Sequence, residues 1–518
     1  MGNLQKRKNQ RLVLIAVTVI MIYAIAFFII FPGAPSYFGD DTMYDGMAHY
    51  VSIGEYFTGG DPFAFNLPII LPIALAYSLL GVSLTTDIIW DEIAFLLTIP
   101  LTFLIGKELY DSKAGLISAL IIATFPVLQD LSETAGNTPI MVFFATLSIL
   151  AVVYATRRNS KVWLVLSGVA MALGILTTPE SAILALFLIV YILVYMHKKG
   201  HLLSAAVFLT LGIVLIAVPD CIVNTVYSGN PFAIISAYYN FSGYFGAGNL
   251  HIEESLPVLM YVDGMFNISV PNGAGLPFRF IAANANNYGI LFYFVLASAI
   301  YLLATRERRA YLMICISLYT FLYLQFGPMK VSLNPFAYIL VFRSMRFLTL
   351  FAAPAAVIVG IALSKLSGAR KRAVYRNLIV VAVMLVLLSN SIYADILQYY
   401  ALYSSTHSQV AIAKYLRSAP SNTTVFMNLG SINTIIYMKF QNMSRFKQYN
   451  NISSCNNFTE GSYVIANKYQ VEQLNISQEC PNLVLVLDPH VSRYYYASTI
   501  GSLAYYNIFD SVLYKVVK

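Results

Sequence analysis

The chain has 518 residues, of which 58% are hydrophobic and only 11% are charged, and its formal net charge is +8. An ordinary soluble domain carries roughly 25% charged residues, so this composition excludes a soluble globular protein and predicts a polytopic membrane protein. The positive charge predicts no nucleic-acid partner, because most basic residues fall in short loops that the positive-inside rule assigns to the cytoplasm.

Eleven apolar segments are long enough to cross a bilayer core of about 30 Å. The first begins at Leu12; it is too long for a signal peptide and no small-residue cleavage site follows it, which predicts a retained helix. A further apolar segment, 67–81, is short and contains two prolines, so it is either another span or a segment in the outer interface. The predicted spans are 12–31, 87–106, 114–128, 138–155, 162–177, 181–196, 202–219, 287–304, 310–326, 347–364 and 377–394.

Charge and glycosylation motifs give the same orientation. If 67–81 does not cross, the basic loops concentrate on one side, and the opposite loops before the tail contain only Arg279, Lys330, Arg343 and Arg346. The amino terminus is then predicted to be cytoplasmic and the tail to be outside. All the Asn-x-Ser/Thr motifs also fall outside, where N-glycosylation occurs. These are Asn240, Asn267, Asn422, Asn442, Asn451, Asn457 and Asn475.

The sequence divides into two predicted domains. Residues 1–394 form a transmembrane domain with a first outer loop at 32–86 and a middle outer loop at 220–286. Residues 395–518 begin with the helical pattern "SQVAIAKYLRSA" and continue with the strand-like runs "TTVFMNL", "SYVIA", "NLVLVLD" and "DSVLYKVV", which predict a small extracytoplasmic α/β domain. Cys455 and Cys480 both lie in this outside tail, where a disulfide between them is expected.

Fifteen acidic residues fall on the predicted outer side, and most are interpreted as solvated loop residues. The adjacent pair Asp40 and Asp41 in "SYFGDDTMYDGMAHY" is different, because neighbouring carboxylates repel and one of them buried near the interface would have a raised pKa. A carboxylate with a pKa near neutral suits a general base.

Several motifs resemble C-type (GT-C) integral-membrane glycosyltransferases, in the branch of protein O-mannosyltransferases and lipid A aminoarabinose transferases. "DDTMYDGMAHY" followed by "GGDPFAFNLPIILPIALAYSLLG" is similar to that family's first outer loop. "GKELYDSKAGLISALIIATFP", "GVAMALGILTTPESAILAL", "VPDCIVNTVYSGNPF" and "FRSMRFLTLFAAPAAVIVGIAL" follow in family order. The sequence departs from the family where Thr178 replaces an Arg, Phe347 replaces a Tyr and Asn137 stands where an Asp is expected.

The resemblance implies the GT-C fold and transfer of a sugar, with inversion, from a polyprenyl (dolichyl) phosphate carrier to an acceptor on the outer face. Asp40 then matches the catalytic base and Asp41 the second acidic residue of the pair. Glu133 or Asp130 would replace the acidic residue missing at Asn137.

The outer cations suit the donor phosphate. Arg343 and Arg346 are three residues apart and would share one face of a helix, where guanidinium groups bind a phosphate well, and Lys330 would assist them. The alternative is that these side chains only anchor the chain at the interface by snorkelling. The six histidines and four cysteines show no metal-ligand spacing; the sequence assigns no cofactor with certainty and leaves a divalent metal open.

Two other functions remain open from sequence: a transporter or flippase of lipid-linked saccharide, and a non-catalytic subunit of a glycan-assembly complex. The first is disfavoured because the predicted span interiors carry almost no charge and the sequence shows no repeat. Within the enzymes, the oligosaccharyltransferase branch is disfavoured because its Trp-Trp-Asp-Tyr-Gly motif is missing. The expected acceptor is a protein, lipid or glycan. The number of glycosylation motifs predicts an N-glycosylating organism and favours the cell membrane of a prokaryote, an archaeon in particular, while a eukaryotic lumenal setting stays open.

Overall fold

A computed structural model of the chain describes residues 2–30, 40–55, 62–133, 135–237, 290–333, 336–340, 345–368, 373–428, 433–441, 443–449, 457–468, 471, 480–489 and 511–518. Helices dominate the described part of the chain up to Ser418. In chain order they are α1 (Gly2–Ile30), α2 (Asp40–Ser52), α3 (Leu67–Leu80), α4 (Leu84–Leu109), α5 (Ser112–Ala123), α6 (Pro126–Leu131), α7 (Thr138–Arg158), α8 (Lys161–Thr177), α9 (Ser181–Lys198), α10 (Leu202–Ser228), α11 (Ile290–Ala304), α12 (Tyr311–Phe326), α13 (Ala352–Gly368) and α14 (Ala373–Ser418).

The chain is a multi-pass membrane protein. Within the described residues, seven helical segments are long and apolar enough to span a bilayer, namely Gln10–Ile30, Leu84–Leu109, Thr138–Arg158, Ser181–Lys198, Leu202–Ser228, Arg308–Phe326 and Arg346–Ser367. Shorter apolar helices lie at Leu67–Leu80, Ser112–Ala123, Lys161–Thr177, Leu291–Ala304 and Val380–Ser389. The total of eleven spans therefore stays a prediction.

The bundle is built around two buried helical segments, α7 and the segment Arg346–Ser367 that includes α13. Side chains from α4, α5, α7, α9 and α13 form one large hydrophobic core. α1 and α10 lie at the periphery, since most of their apolar side chains remain exposed to the surroundings. An apolar helix exposed in this way is stable only in lipid, which agrees with the membrane assignment.

Small residues allow the helices to approach closely. A Cβ added at Gly212 of α10 would lie 2.1 Å from the carbonyl oxygen of Val165 on α8, and one at Gly168 of α8 would lie 2.3 Å from the carbonyl oxygen of Leu209. Interfaces of this kind are typical of membrane helices, where tight backbone packing replaces the hydrophobic effect as the force that holds helices together.

The ends predicted to be cytoplasmic meet one another. Arg158 at the end of α7 forms an ion pair of 3.3 Å with Glu108 near the end of α4. Lys365 near the end of α13 forms an ion pair of 3.0 Å with Glu307, which follows α11. The positive-inside rule placed all four residues on the same side, and the packing is consistent with that placement.

Segment 67–81 forms helix α3, which packs against α2 and the start of α4. Near its start, Asn66 donates a hydrogen bond of 2.8 Å to Tyr44 of α2, and near its end Tyr77 lies 3.5 Å from Asp45, the next residue of α2. Trp90 of α4 donates to the carbonyl oxygen of Pro68. Both ends of α3 therefore contact the same short stretches of α2 and α4, which favours a helix in the outer interface over an additional span.

Several predicted spans have different bounds from the helices of the structure. The segment 114–128 is interrupted: α5 ends at Ala123, and Pro126 begins the separate short helix α6, because proline lacks the N–H needed inside a helix but is favoured in its first turn. The segment 202–219 continues as helix to Ser228, so Asp220 is part of α10 and not of the middle outer loop.

The predicted α/β tail is confirmed, although it does not begin with a separate helix. α14 runs without interruption from Ala373 to Ser418 and includes both the last predicted span and the pattern "SQVAIAKYLRSA". A short helix α15 (Asn433–Tyr437) and a five-stranded sheet follow. The strands are β3 (Val425–Met427), β4 (Phe446–Gln448), β5 (Tyr463–Asn467), β6 (Leu483–Leu487) and β7 (Ser511–Val516), in the order β4-β3-β5-β7-β6.

The sheet has the alternating pattern that its sequence predicts. β3 is parallel to β4 and β5, while β7 is antiparallel to β5 and β6. Val425 and Ile465 pack against Ile412 and Leu416 of α14, whereas Val464 and Tyr514 form a second cluster on the opposite face. Residue alternation along a strand produces this division.

Three of the four cysteines lie in the described part of the chain. Cys480 is buried and disulfide-bonded, whereas Cys221 and Cys315 are free thiols. The expected partner, Cys455, is not among the described residues, so the pairing stays a prediction. An antiparallel hairpin of β1 (Pro328–Leu333) and β2 (Phe336–Leu340) follows α12 and was not predicted.

Candidate active site

The acidic helix α2 buries its carboxylates. Asp41, Tyr44, Asp45 and Ala48 are buried on one face of the helix, while Met43 on the other face is exposed. An ordinary surface helix exposes its charged residues, whereas α2 buries two carboxyl groups together with Tyr44 and Ala48. The acidic residues of α2 therefore face the protein interior.

A second pair of carboxylates meets this face. Asp87 and Asp91 lie one turn apart near the start of α4 and are fully buried. Asp45 interacts electrostatically with both of them and with Asp41. Two pairs of aspartates, each at i, i+4 spacing on its own helix, thus face each other at the outer end of the bundle.

Tyr77 of α3 lies between the two helices. Its hydroxyl donates a short hydrogen bond to Asp87, and the same oxygen lies 3.5 Å from Oδ1 of Asp45. Tyr77 is buried, as are both carboxylates. Asp45, Asp87 and Asp91 have no ion-pair partner within the described part of the chain.

Burial controls the protonation of Asp45. It raises the pKa of this carboxyl well above the ordinary value, and the negative charges of Asp87, Asp41 and Asp91 raise it further, against the lowering effect of the hydrogen bond with Tyr77. Burial likewise raises the pKa of the Tyr77 phenol, so that this group keeps its proton. Burial and the neighbouring negative charges therefore both favour the protonated form of Asp45.

The loop between α6 and α7 contacts the buried carboxylates through Asp91. The backbone amide of Gly136 faces the Asp91 carboxylate. Glu133, three residues earlier, is buried, and Asn137, one residue later, is buried at the start of α7. The loop that was predicted to carry a supporting acidic residue therefore lies against the buried aspartates of α4.

The predicted site residues are only partly brought together. Asp41 lies within the acidic group and the Glu133 loop adjoins it. Arg346 is half-buried, its guanidinium 5.3 Å from the Phe347 ring, in the 3₁₀ segment Met345–Phe351 that packs against α6 and α7. Asp40 begins α2 and Lys330 lies on β1 opposite Ile339.

Other predicted residues cannot be compared with the structure. The side chains of Asp40, Asp130 and Lys330 are outside the described set, as is the whole of Arg343. Among the glycosylation motifs, Asn422 and Asn457 are described and are exposed; Asn240, Asn267, Asn442, Asn451 and Asn475 are not described.

The tail domain contacts α2 as well. Phe440, after α15, stacks on His49 of α2 with ring centroids 4.4 Å apart and an interplanar angle of 5°. Phe440 and Ile436 share one hydrophobic cluster with Tyr44 and Met47 of α2. The tail therefore packs against the acidic helix α2.

The interpretation of the acidic residues as solvated is wrong for several of them. Asp45, Asp87, Asp91 and Asp220 are all buried. The spacing 41/45 and 87/91 was the signal in the sequence, because i, i+4 carboxylates on a helix share a face.

Within the described residues, no three His, Cys, Asp or Glu side chains are arranged to hold a metal ion.

Comparisons with known proteins identify the fold. Residues 69–222 match the family model described as dolichyl-phosphate-mannose-protein mannosyltransferase. A search of curated protein sequences returns no significant match.

The chain is similar to several solved structures, of which three illustrate the range. ArnT from Cupriavidus metallidurans bound to undecaprenyl phosphate is 13% identical with a TM-score of 0.56, over 96% of this chain and 97% of that one. The oligosaccharyltransferase AglB from Archaeoglobus fulgidus, in complex with an inhibitory peptide and a dolichol-phosphate, is 14% identical with a TM-score of 0.53, over 90% and 70%. The arabinofuranosyltransferase AftD from mycobacteria is 12% identical with a TM-score of 0.51, over 98% and 40%. The resemblance to GT-C proteins is confirmed, and the chain has the GT-C fold.

Proposed function

We propose that this GT-C protein transfers a sugar from a polyprenyl (dolichyl) phosphate carrier to an acceptor on the outer face of the membrane, with inversion and with Asp40 as the base. The observation that carries the proposal is the group of buried carboxylates on α2 and α4, at the outer end of a fold whose solved representatives include proteins bound to undecaprenyl phosphate and dolichol-phosphate.

The position of Asp40 supports its role as the base. It is the first residue of α2, where the unpaired amides and the helix dipole favour a negative charge. Asp45, further along the same helix, is buried, and burial favours its protonated form. A helix start and a buried position favour opposite protonation states, so α2 could offer both a base and a neutral carboxyl group.

In the proposed reaction, Asp40 accepts the proton of the acceptor hydroxyl while the oxygen attacks C1 of the sugar from the face opposite the carrier. The bond from C1 to the carrier phosphate breaks and the phosphate leaves as a monoester. The leaving phosphate gains charge, so cationic stabilisation matters more for it than proton donation. Arg346 is the proposed phosphate ligand, together with Arg343 and Lys330, because its segment packs against the helices on both sides of the Glu133 loop.

Transfer can be tested with purified protein in vesicles and labelled polyprenyl-phosphate hexoses, by following label into protein, lipid and glycan. Asp40→Asn is expected to lower the transfer rate by a factor of about 10²–10⁴, the usual contribution of a general base, with insertion unchanged. Glu55→Gln is the matched control, since Glu55 is exposed just beyond the same helix. Normal transfer by Asp40→Asn would refute the assignment of the base.

The phosphate role has its own test. Arg346→Ala is expected to raise the apparent KM for the donor, while Arg309→Ala, an exposed residue at the predicted cytoplasmic end, is expected to leave it unchanged. An unchanged donor KM in Arg346→Ala would contradict the role. Movement of labelled donor across the vesicle membrane without transfer would favour a flippase instead.

A further inference from the structure

Three elements of the site are joined by one side chain that the proposed reaction does not use. Tyr77 on α3 has a single hydroxyl proton and lies between Asp45 on α2 and Asp87 on α4. A phenol can donate only one hydrogen bond, although its oxygen can accept others. The two carboxyl groups therefore cannot both accept from Tyr77 at the same time.

The geometry assigns the proton of Tyr77 to Asp87. The contact with Asp87 is short, whereas the oxygens of Tyr77 and Asp45 are 3.5 Å apart. Once the proton is donated to Asp87, the lone pairs of the Tyr77 oxygen face Asp45, and an ionised Asp45 would be repelled by them. A protonated Asp45 would instead donate to that oxygen.

Every charged group identified around Asp45 has the same sign. Asp41 lies on its own helix and Asp87 and Asp91 lie on α4, with Glu92 next to Asp91, while Tyr77 is neutral. The second oxygens of both Asp45 and Asp87 have no hydrogen-bond partner among the described residues. An ionised Asp45 would therefore be buried without a compensating partner among the described residues, which is costly.

We infer that Asp45, Tyr77 and Asp87 form a directed hydrogen-bond chain, in which protonated Asp45 donates to Tyr77 and Tyr77 donates to Asp87, and which holds α2 against α3 and α4 and so positions Asp40 and Asp41 for transfer. Tyr77 and Asp45 are positioning residues, because they act through α2 and not on the substrate. The chain is complete only while Asp45 keeps its proton. Transfer should therefore decrease on the alkaline side as Asp45 ionises and α2 loosens.

The test compares four proteins: wild type, Tyr77→Phe, Asp45→Asn and Ser78→Ala. Phenylalanine keeps the ring but removes both hydrogen bonds, and asparagine keeps a donor toward Tyr77 but cannot ionise. Ser78→Ala is the matched control on the next residue of α3, where the hydroxyl bonds only to its own helix.

Tyr77→Phe is expected to lower kcat about tenfold, the effect of losing a hydrogen bond worth roughly 1.4 kcal/mol, with the donor KM unchanged. Asp45→Asn is expected to keep kcat within about twofold and to lose the alkaline decrease, a result that a purely structural carboxylate would not give. Ser78→Ala should match wild type.

Wild-type turnover in Tyr77→Phe, or an unchanged alkaline decrease in Asp45→Asn, would overturn the inference. The activity readout rests on the proposed function, so hydrogen exchange of the α2 amides is measured in parallel. Faster exchange in Tyr77→Phe alone supports the chain even if the wild type transfers no sugar, and equal exchange in all four proteins overturns it. A failure of the proposed function is thereby separated from a failure of this inference.

Discussion

The crossing of α8 and α10 permits a quantitative prediction about stability. Alanine at Gly212 would place a methyl group 2.1 Å from the backbone oxygen of Val165, whereas the shortest ordinary Cβ contact is 3.4 Å. One helix must then retreat by about 1.3 Å, and since the contact is with backbone, no side chain can rotate away. Overpacking of this kind costs about 1–3 kcal/mol, and the rigid contact places Gly212→Ala near the upper value.

Gly174→Ala is the matched variant. Gly174 is also inside a helix, but an added Cβ would make ordinary contacts of 3.5 and 3.6 Å with Ser181 and Phe144. Both substitutions gain the same helix propensity, about 1 kcal/mol. The propensity gain cancels in the comparison, so the difference between the two variants, about 3 kcal/mol, reports the steric clash alone.

The assay is the apparent thermal midpoint of both variants and wild type in one detergent at one scan rate, because unfolding of a membrane protein of this size is often irreversible. The expected order is Gly174→Ala at or above wild type and Gly212→Ala several degrees below it. Equal midpoints for the two variants would refute the close crossing of α8 and α10.

Three further predictions follow from other contacts. Phe440→Ala should remove the stack on His49 and increase hydrogen exchange in α2, with a loss of about 3–5 kcal/mol in the free energy of unfolding, as is typical of a buried phenylalanine. Unchanged exchange would contradict docking of the tail. Burial raises the pKa of Asp45 in the folded protein, so its carboxyl ionises first in the unfolded chain, and the contribution of Asp45 to stability should fall as the pH rises above about 4. The thermal midpoint of Asp45→Asn should therefore exceed that of wild type by an amount that grows with pH. A constant difference would contradict burial of an ionisable group. Cys480→Ser should destabilise the protein by about 2–4 kcal/mol, whereas Cys315→Ser, which removes a free thiol, should not; a Cys455→Ser variant as stable as wild type would contradict the predicted pairing.

Much of the fold could be predicted because apolar length and strand alternation are local signals. The four predicted strands of the tail all form, and the helical bundle follows the hydrophobic segments. Two predicted helix boundaries are wrong although the sequence contains a local signal for each of them. Pro126 marked the break in the segment 114–128, and the absence of any Gly or Pro between Ala373 and Ser418 indicated one continuous helix, despite the polar residues in its middle.

The candidate site was harder to predict because its parts come from different helices. The pair at Asp40 and Asp41 was visible as a motif, but the second pair on α4 becomes meaningful only when α2 folds back onto the start of that helix. Tyr77 gave no signal, since a single tyrosine in an apolar segment is typical of a membrane interface. Which carboxylates are solvated is a property of tertiary packing, and sequence spacing alone indicates only which of them share a helix face.

The continuous helix α14 also determines how far the tail is rotated about the axis of this helix. Its 46 residues are about 69 Å long at 1.5 Å per residue, more than twice the thickness of the bilayer core. Each residue inserted into its outer half would turn the tail by about 100° around the helix axis, while the height would change by only about 1.5 Å. The tail can therefore meet α2 at only one angular setting in each turn of α14, so the length of this helix, to the single residue, belongs to the architecture of the site.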